Sequence, residues 1–564
     1  MKIFVQHQFY EVISMKKLIA ALLSAVLVLS AAAGCGSFTG KSGGTSASPT
    51  NSGGTKPTSV NIYLENEIPT LNQFAASDNI AFNVLNNISE GLYRLDMNNE
   101  PQPAMAKDCK ISDDKLTYTF TLRDGLKFSN GDAITSKTFK DTWIKQMAAD
   151  TPNNYAFIVT DYIVNAQEYS EKKATADQIG IQTPDDKTLV VKLKAPTPYF
   201  LSLTTFVPYY AVDMSFFEKQ GKDYAVGKDN LVYSGPYMIS QYDAAAGVEL
   251  VKNPNYWDAA NVQVDTVSIK IIKEQSTALN LYKAGQLSRV QLASTDVPAY
   301  KDSEEFKTHS IFRTNFIQFN TTAEGTKNIN IRKALSLAID NDTLVSTILN
   351  NGSEAANGVV PKAMSSGVAG KTFGSMQSTL NPYDAAKAKE YWAKGVAELG
   401  GKAPQLTLVL DDNTENKDVG TYLQSQFKSV LGIEVRLDSK TKEARRTLMK
   451  AGTYQMGLNA WGADYDDPMT YLQIWTENKN AFRGNFKDTD AANDYAKLIQ
   501  SAHGEKDNAK RADLLVQAEK SLITDNAVVA PLYYMGSAYL IKSNVSNLIE
   551  PNSGILELKY VTVQ

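Results

Sequence analysis

Mixed α/β structure arranged in two or more lobes is the fold class to which this chain points. Its 564 residues exceed what one hydrophobic core organises, because single cores stop growing at roughly 250 to 300 residues. Helical and strand patterns alternate through the second half instead of segregating. Within that half, residues 405–437 hold a strand, a helix and a second strand in succession, the signature of a crossover between parallel strands. The composition agrees, since 43% hydrophobic and 21% charged residues suit a packed globular chain.

Taken in order, residues 1–14 read as an upstream extension, with Met15 as the start. Lys16 and Lys17, the apolar run Leu18–Ala31 and the small residues before Cys35 form an export signal over residues 1–34. The run is too short for a spanning helix, which needs about 20 apolar residues. A cysteine at this place offers a thiol for diacylglyceryl attachment, so Cys35 is expected to anchor a palmitate-bearing lipoprotein to the outer face of the cell membrane. The alternative is an ordinary signal with a chance cysteine. Residues 35–57 are Gly/Ser/Thr-rich and hold too little apolar surface to fold. They are expected to form a disordered tether that would hold the body about 25 Å from the membrane.

Ser59–Leu64 alternates as a strand, and Pro69 breaks the stretch that follows. Asn79–Glu90 reads as a helix, Leu116–Leu122 as a half-buried strand, and Asp132–Met147 as a helix after the turns at Asp124-Gly125 and Asn130-Gly131. Thr183–Lys194 gives a turn and a strand. Pro196–Pro208 is apolar but punctuated by proline, which suits a domain crossing. Gln405–Leu410, Asn416–Leu431 closed by Gly432, and Ile433–Leu437 make the crossover unit. Further helices are expected at Ile331–Ile339, Asp384–Leu399, Ala491–Ala502 and Ala509–Thr524, and a last strand at Ile555–Val561.

Several function classes drop out. The net charge of −4 becomes about −6 once the signal, with three lysines and one glutamate, is removed. No basic patch stands out, so nucleic acid is not an expected partner. With Cys35 lipidated, Cys109 has no disulfide partner. His7, His309 and His503 are too scattered for a histidine metal site. Neither a phosphate loop nor a GxSxG elbow is present, and the acid pairs Asp113-Asp114, Asp185-Asp186 and Asp411-Asp412 sit beside turns, where they are expected to be solvated. No cofactor and no enzymatic activity are expected.

Five blocks carry a resemblance. They are LTYTFTLRDGLKFSNGDAITSKTFKDTW (Leu116–Trp143), SGPYMI (Ser234–Ile239), NPNYWD (Asn253–Asp258), NIRKALSLAID (Asn330–Asp340) and WGADYDDP (Trp461–Pro468). In content and order they resemble the family 5 extracellular solute-binding proteins of ABC importers, above all the oligopeptide-binding branch. The resemblance implies a periplasmic-binding-protein-like fold of two lobes and a hinge, with an extra domain inserted in the first lobe. It places the first lobe at 58–81, 196–313 and 532–564, the inserted domain at 82–195 and the second lobe at 314–531, with crossings near Arg313 and Pro531.

For function, the resemblance implies a monomeric receptor that encloses a short peptide between its lobes and delivers it to ABC permease subunits. Peptide-binding relatives hold the ligand as an added strand. The matching segments here are Glu67, Ile68 and Pro69 on one side and Ala460, Trp461 and Gly462 on the other. Asp464 matches the aspartate that pairs with the peptide amine, and a turn-forming role is its alternative. Asp466 and Asp467 are read as structural, with Asp467 capping a helix that starts at Pro468. Trp461 is either cleft wall or core anchor. Tyr155 matches a site tyrosine of relatives, or is a surface aromatic of the inserted domain. Leu458 stands where some relatives carry an arginine clamp for the peptide carboxylate, and Gly462 replaces a disulfide cysteine of others. Another solute (dipeptide, nickel chelate, oligosaccharide), a peptide pheromone and a secreted hydrolase are the competing readings.

Overall fold

A computed structural model describes residues 58–151, 155–476, 484–548 and 550–564. The signal segment, Cys35 and the tether lie outside the described residues.

Along the chain, β1 (Ser59–Leu64) leads to α1 (Asn79–Ile88), whose N-cap Asp78 accepts the Ala81 amide. A short hairpin of β2 (Tyr93–Leu95) and β3 (Pro101–Pro103) precedes β4 (Ala106–Ile111), β5 (Thr117–Leu122), α2 (Ser136–Met147), β6 (Ile181–Asp185) and β7 (Thr188–Lys192). Next come β8 (Tyr237–Asp243), β9 (Gly247–Lys252), β10 (Thr266–Ile271), α3 (Gln275–Lys283), β11 (Arg289–Gln291) and the long β12 (Phe306–Phe319). The later part holds α4 (Ile329–Leu337), β13 (Glu354–Ala355), α5 (Ala385–Glu398), β14 (Leu406–Asp411), α6 (Thr414–Leu431), β15 (Val435–Lys440), α7 (Lys442–Lys450) and β16 (Met456–Gly462). It ends with α8 (Asp490–Gly504), α9 (Asn508–Lys520), β17 (Val529–Ile541), β18 (Val545–Ser546) and β19 (Thr562–Val563).

Three main sheets result. One has the order β1-β10-β9-β8, a second β4-β5-β7-β6, and the third β11-β17-β12-β16-β14-β15 with β13 attached to β17. The expected crossover unit is present: β14 and β15 pair in parallel from Leu406↔Val435 to Asp411↔Lys440, and α6 ends where Gly432 turns left-handed at φ 70°. One core gathers around Ile317, Leu408, Leu423 and Phe427. The largest apolar cluster runs from the two four-stranded sheets through Tyr465, Met469 and Trp475 to Leu515.

Strands β12 and β17 tie the third sheet together. Phe306–Ser310 pair with Leu540–Gly536, and Thr314–Gln318 pair with Tyr534–Val529, with the register slipping between Ser310 and Thr314 and again between Asn315 and Phe316. One end of this ladder takes β11, the other β16. Such bulges bend a strand locally.

Four expectations need correction. α2 starts at Ser136 rather than Asp132, because residues 126–134 fold into a tight turn in which the Phe128 amide donates to the Asp132 carbonyl and the Ile134 amide to the Leu126 carbonyl. Pro196–Pro208 is no bare crossing: it coils into turns at Phe200–Leu203 and Val207–Tyr209 whose apolar side chains are buried. Asp411 is not solvated; the Arg445 guanidinium donates to both its oxygens at 2.6 and 3.2 Å. Ile555–Val561 is not a strand. Its polar backbone is met by buried asparagines of α1 instead: the Leu556 and Leu558 amides donate to Asn83 Oδ1 and Asn87 Oδ1 at 2.7 and 2.9 Å, and the Leu556 carbonyl accepts from Asn86 and Asn87.

Candidate functional site

The segment Ala460, Trp461, Gly462 is the end of β16, and its position in the sheet gives it an open side. On one side it pairs with β12, Arg313↔Gly462 through Phe319↔Met456. On the other, β14 pairs only at Leu408↔Met456 and Val409↔Gly457. Beyond Gly457 no described strand flanks this edge. The Ala463 amide donates to the Phe312 carbonyl at 2.8 Å, which makes 463↔312 a hydrogen-bonded pair. Antiparallel pairs alternate, so 462↔313 and 460↔315 are non-bonded pairs whose backbone N–H and C=O point away from β12, toward the open side. The Ala460 amide meets Asn459 Oδ1 at 3.0 Å. Gly462 is exposed, and a Cβ there would meet nothing closer than the Phe312 carbonyl at 3.9 Å.

The loop that follows is held from several directions. The Asp464 amide donates to Thr470 Oγ1 at 3.3 Å, and the half-buried residue stands within electrostatic reach of Tyr155. Burial, reinforced by the Asp464 charge and then by Asp78, pushes the Tyr155 phenol above its ordinary range. Tyr155 sits edge-on to Phe82 and Phe206, at 5.6 and 5.4 Å between centroids, and stacks on Phe157. It is thus half-buried in an aromatic bed beside Asp464 rather than a lone surface ring. Trp461 is half-buried and packed on the main apolar cluster.

Tyr465 stacks face to face on Tyr199 at 4.5 Å, accepts a hydrogen bond from the Tyr162 hydroxyl at 3.2 Å, and its hydroxyl accepts from Gln473 at 3.0 Å. Asp466 accepts from the Ser365 amide at 2.9 Å and from Asn99 Nδ2 at 3.2 Å; burial pushes its carboxyl up to about 7. Asp467 is fully buried against Arg511, bidentate at 2.7 and 2.8 Å, and accepts the Met469 amide. Its helix begins at Met469, one residue later than expected. Both acids have structural partners. A removed partner would strand a buried charge, which costs several kcal/mol.

Glu67, Ile68 and Pro69 follow β1. Glu67 is exposed and paired with Lys273 at 2.7 Å, the Ile68 amide donates to the Ala244 carbonyl, and Pro69 is exposed. Leu458 is buried in the apolar cluster that contains Ile317 and Leu408.

Sequence reasoning missed two features. One is the Tyr162, Tyr199, Tyr465 contact, which joins residues far apart in the chain and has no local pattern. The other is a cavity of about 150 Å³ between β1 and β11, lined by Tyr63, Glu65, Arg289 and Glu550 among others. Its signal was available: in LSRVQL, alternation puts Arg289 and Gln291 on one strand face, opposite Val290 and Leu292. A larger space of about 450 Å³ separates Tyr162 and Lys194 from Gln473 and His503. No helix of the described residues is long and apolar enough to cross a membrane.

Comparison with known proteins agrees with this architecture. The family profile described as bacterial extracellular solute-binding proteins, family 5 Middle, matches residues 100–483. The oligopeptide-binding protein OppA of Bacillus subtilis (strain 168) is 30% identical over 508 residues, covering 88% of this chain and 91% of that protein. Among solved structures, Listeria monocytogenes OppA bound to peptide superposes with a TM-score of 0.75 at 30% identity, covering 90% of this chain and 99% of the other. The substrate-binding domain of an oligopeptide ABC transporter from Bacillus anthracis str. Ames gives 0.75 at 32% identity, with 90% and 100% covered. With its profile match and with relatives covered over nine-tenths or more of their own length, the chain belongs to the bacterial extracellular solute-binding proteins of family 5.

Proposed function

We propose that the protein is an extracytoplasmic receptor that encloses short peptides between two lobes and delivers them to an ABC permease. The observation that carries this reading is the open edge of β16, where Ala460 and Gly462 turn backbone polar groups outward a few residues before Asp464. A peptide strand added there gains main-chain hydrogen bonds without its side chains being read. Asp464 takes the free amine, with Tyr155 and Trp461 as walls, and Glu67, Ile68 and Pro69 flank the peptide from the first lobe. A carboxylate enclosed by closure is costly unless a cation meets it, so free N-termini are selected. With Leu458 turned into the core, nothing at that position clamps the peptide carboxylate, and several peptide lengths are accepted.

The lobe borders follow the same reading: 58–81, 196–313 and 532–564 for the first lobe, 82–195 inserted, and 314–531 for the second. The slipped registers of β12 and β17 support hinge crossings near Arg313 and Pro531. Attachment through a lipid on Cys35 and a monomeric state complete the proposal. Native mass spectrometry of protein purified from rich medium tests it. A co-purified mixture of short peptides is the expected result; a protein that carries no peptide and takes up none when peptides are added would refute it.

A further inference from the structure

The 150 Å³ cavity between β1 and β11 has an unbalanced charge. Arg289 is satisfied within it: the guanidinium donates to Glu550 at 2.7 and 2.6 Å and lies 3.9 Å over the Tyr539 ring, whose hydroxyl also donates to Glu550. That cation and that carboxylate cancel. Glu65, a lining residue that is exposed to solvent, is left over; no ion pair is made by it among the described residues, and partial desolvation together with the nearby Glu550 charge raises its carboxyl pKa. In the wall beside it, the Tyr63 hydroxyl is buried and has no side-chain partner, with the Gln291 backbone as its polar neighbour. A carboxylate without an ion-pair partner and a hydroxyl without a side-chain partner therefore line one small space, with Ile80 and Leu556 supplying apolar wall.

Size and place limit what fits. Pockets for whole small molecules run to roughly 300 to 1,000 Å³, so this cavity takes part of a larger ligand. It opens two residues before Glu67. Its Ile80 belongs to α1, the helix whose Phe82 beds Tyr155 beside Asp464. A long aliphatic stem ending in a cation matches the lining, since such side chains lay their methylenes on apolar surface and carry the charge at the tip.

We infer that this cavity is a side-chain subsite for a lysine or arginine of the bound peptide, with Glu65 as counter-charge and the Tyr63 hydroxyl as acceptor. The inference rests on the peptide-binding reading and adds one position of side-chain selectivity to a site that otherwise reads main chain.

Calorimetry with tetra-alanine and its four single-lysine variants, on the wild type and on Glu65→Gln, tests it. One lysine position should bind the wild type about tenfold more tightly than alanine, equal to about 1.4 kcal/mol, and norleucine at that position should not. In Glu65→Gln the lysine gain should vanish while tetra-alanine binds as before, which also reports that the variant is folded. A flat lysine scan, or a gain that survives in Glu65→Gln, overturns the subsite alone. Failure of every peptide, tetra-alanine included, overturns the peptide reading and the subsite with it.

Discussion

Glu519→Gln is expected to stabilise the protein above neutral pH and to leave it nearly unchanged in acid. Glu519 is fully buried on α9; its carboxyl accepts the Val360 amide at 2.8 Å and the Gln377 side-chain amide. Burial raises it from 4.5 to about 7, against hydrogen bonds that pull the other way. In the unfolded chain the group ionises near its ordinary value, so between 4.5 and about 7 only the folded protein keeps the proton. Stability from this group is therefore complete below 4.5, falls as pH rises, and levels off above about 7. A shift of about 2.5 units at 1.36 kcal/mol each amounts to about 3 kcal/mol. Glutamine carries no charge at any pH, and Gln377 Oε1, which makes no hydrogen bond, can accept from it after a flip of the Gln377 amide. Urea unfolding of both proteins at pH 5 and pH 8 should show the stability difference moving by about 2.5 kcal/mol in favour of the variant at the higher pH, since part of the effect is already lost at pH 5. Asp466 and Glu557, also pushed to about 7 by burial, cancel in this comparison. A difference that does not change with pH, or one that favours the wild type at pH 8, would refute the reasoning.

Three further outcomes concern the binding site and the anchor. Asp464→Asn should weaken free peptides by about 2 to 5 kcal/mol in calorimetry, with N-acetylated peptides already poor ligands of the wild type; equal affinity for acetylated and free peptides would end the amine-pairing role. Gly462→Pro removes an outward N–H and should cost about 1 kcal/mol of peptide affinity with little change in melting, whereas Ala463→Pro removes the bond to the Phe312 carbonyl and should lower stability. If the two prolines melt alike, the assignment of which amides face the open edge is wrong. Cys35→Ser should appear in the culture medium with peptide affinity intact, and a soluble form that cannot bind would contradict a purely anchoring cysteine.

Elements whose pattern is local were legible from the sequence. β1, β5 and α6 fall within two residues of expectation because alternation, a capping side chain or a closing glycine marks each of them. Ile555–Val561 misled because alternation records burial, not pairing, and its hydrogen-bond partners lie on α1, some 470 positions away. Asp411 misled for a similar reason: a turn aspartate and a buried ion-pair aspartate look alike until Arg445 comes into view. The WGADYDDP block covers the end of β16 and the loop after it, where Asp466 and Asp467 have the structural partners expected of them. Tyr162 and Tyr199 carried no motif at all, and the charge imbalance around Glu65 depends on strands that meet only in the folded sheet.

The asparagines of α1 that hold residues 556–558 have a mechanical consequence. Because of them, the segment after β17 returns to the body that contains β1: Leu556 and Leu558 are tied to α1, and Lys559 reaches Asp258 at 2.8 Å beyond β9. A pull applied upstream of Ser59 and downstream of Val563 would load β1, α1 and their neighbours, while the strands β14, β15 and β16 lie off the line of force. Drag on whatever holds the protein, or a fused partner at either side, would leave the seven-stranded sheet's far end free to swing.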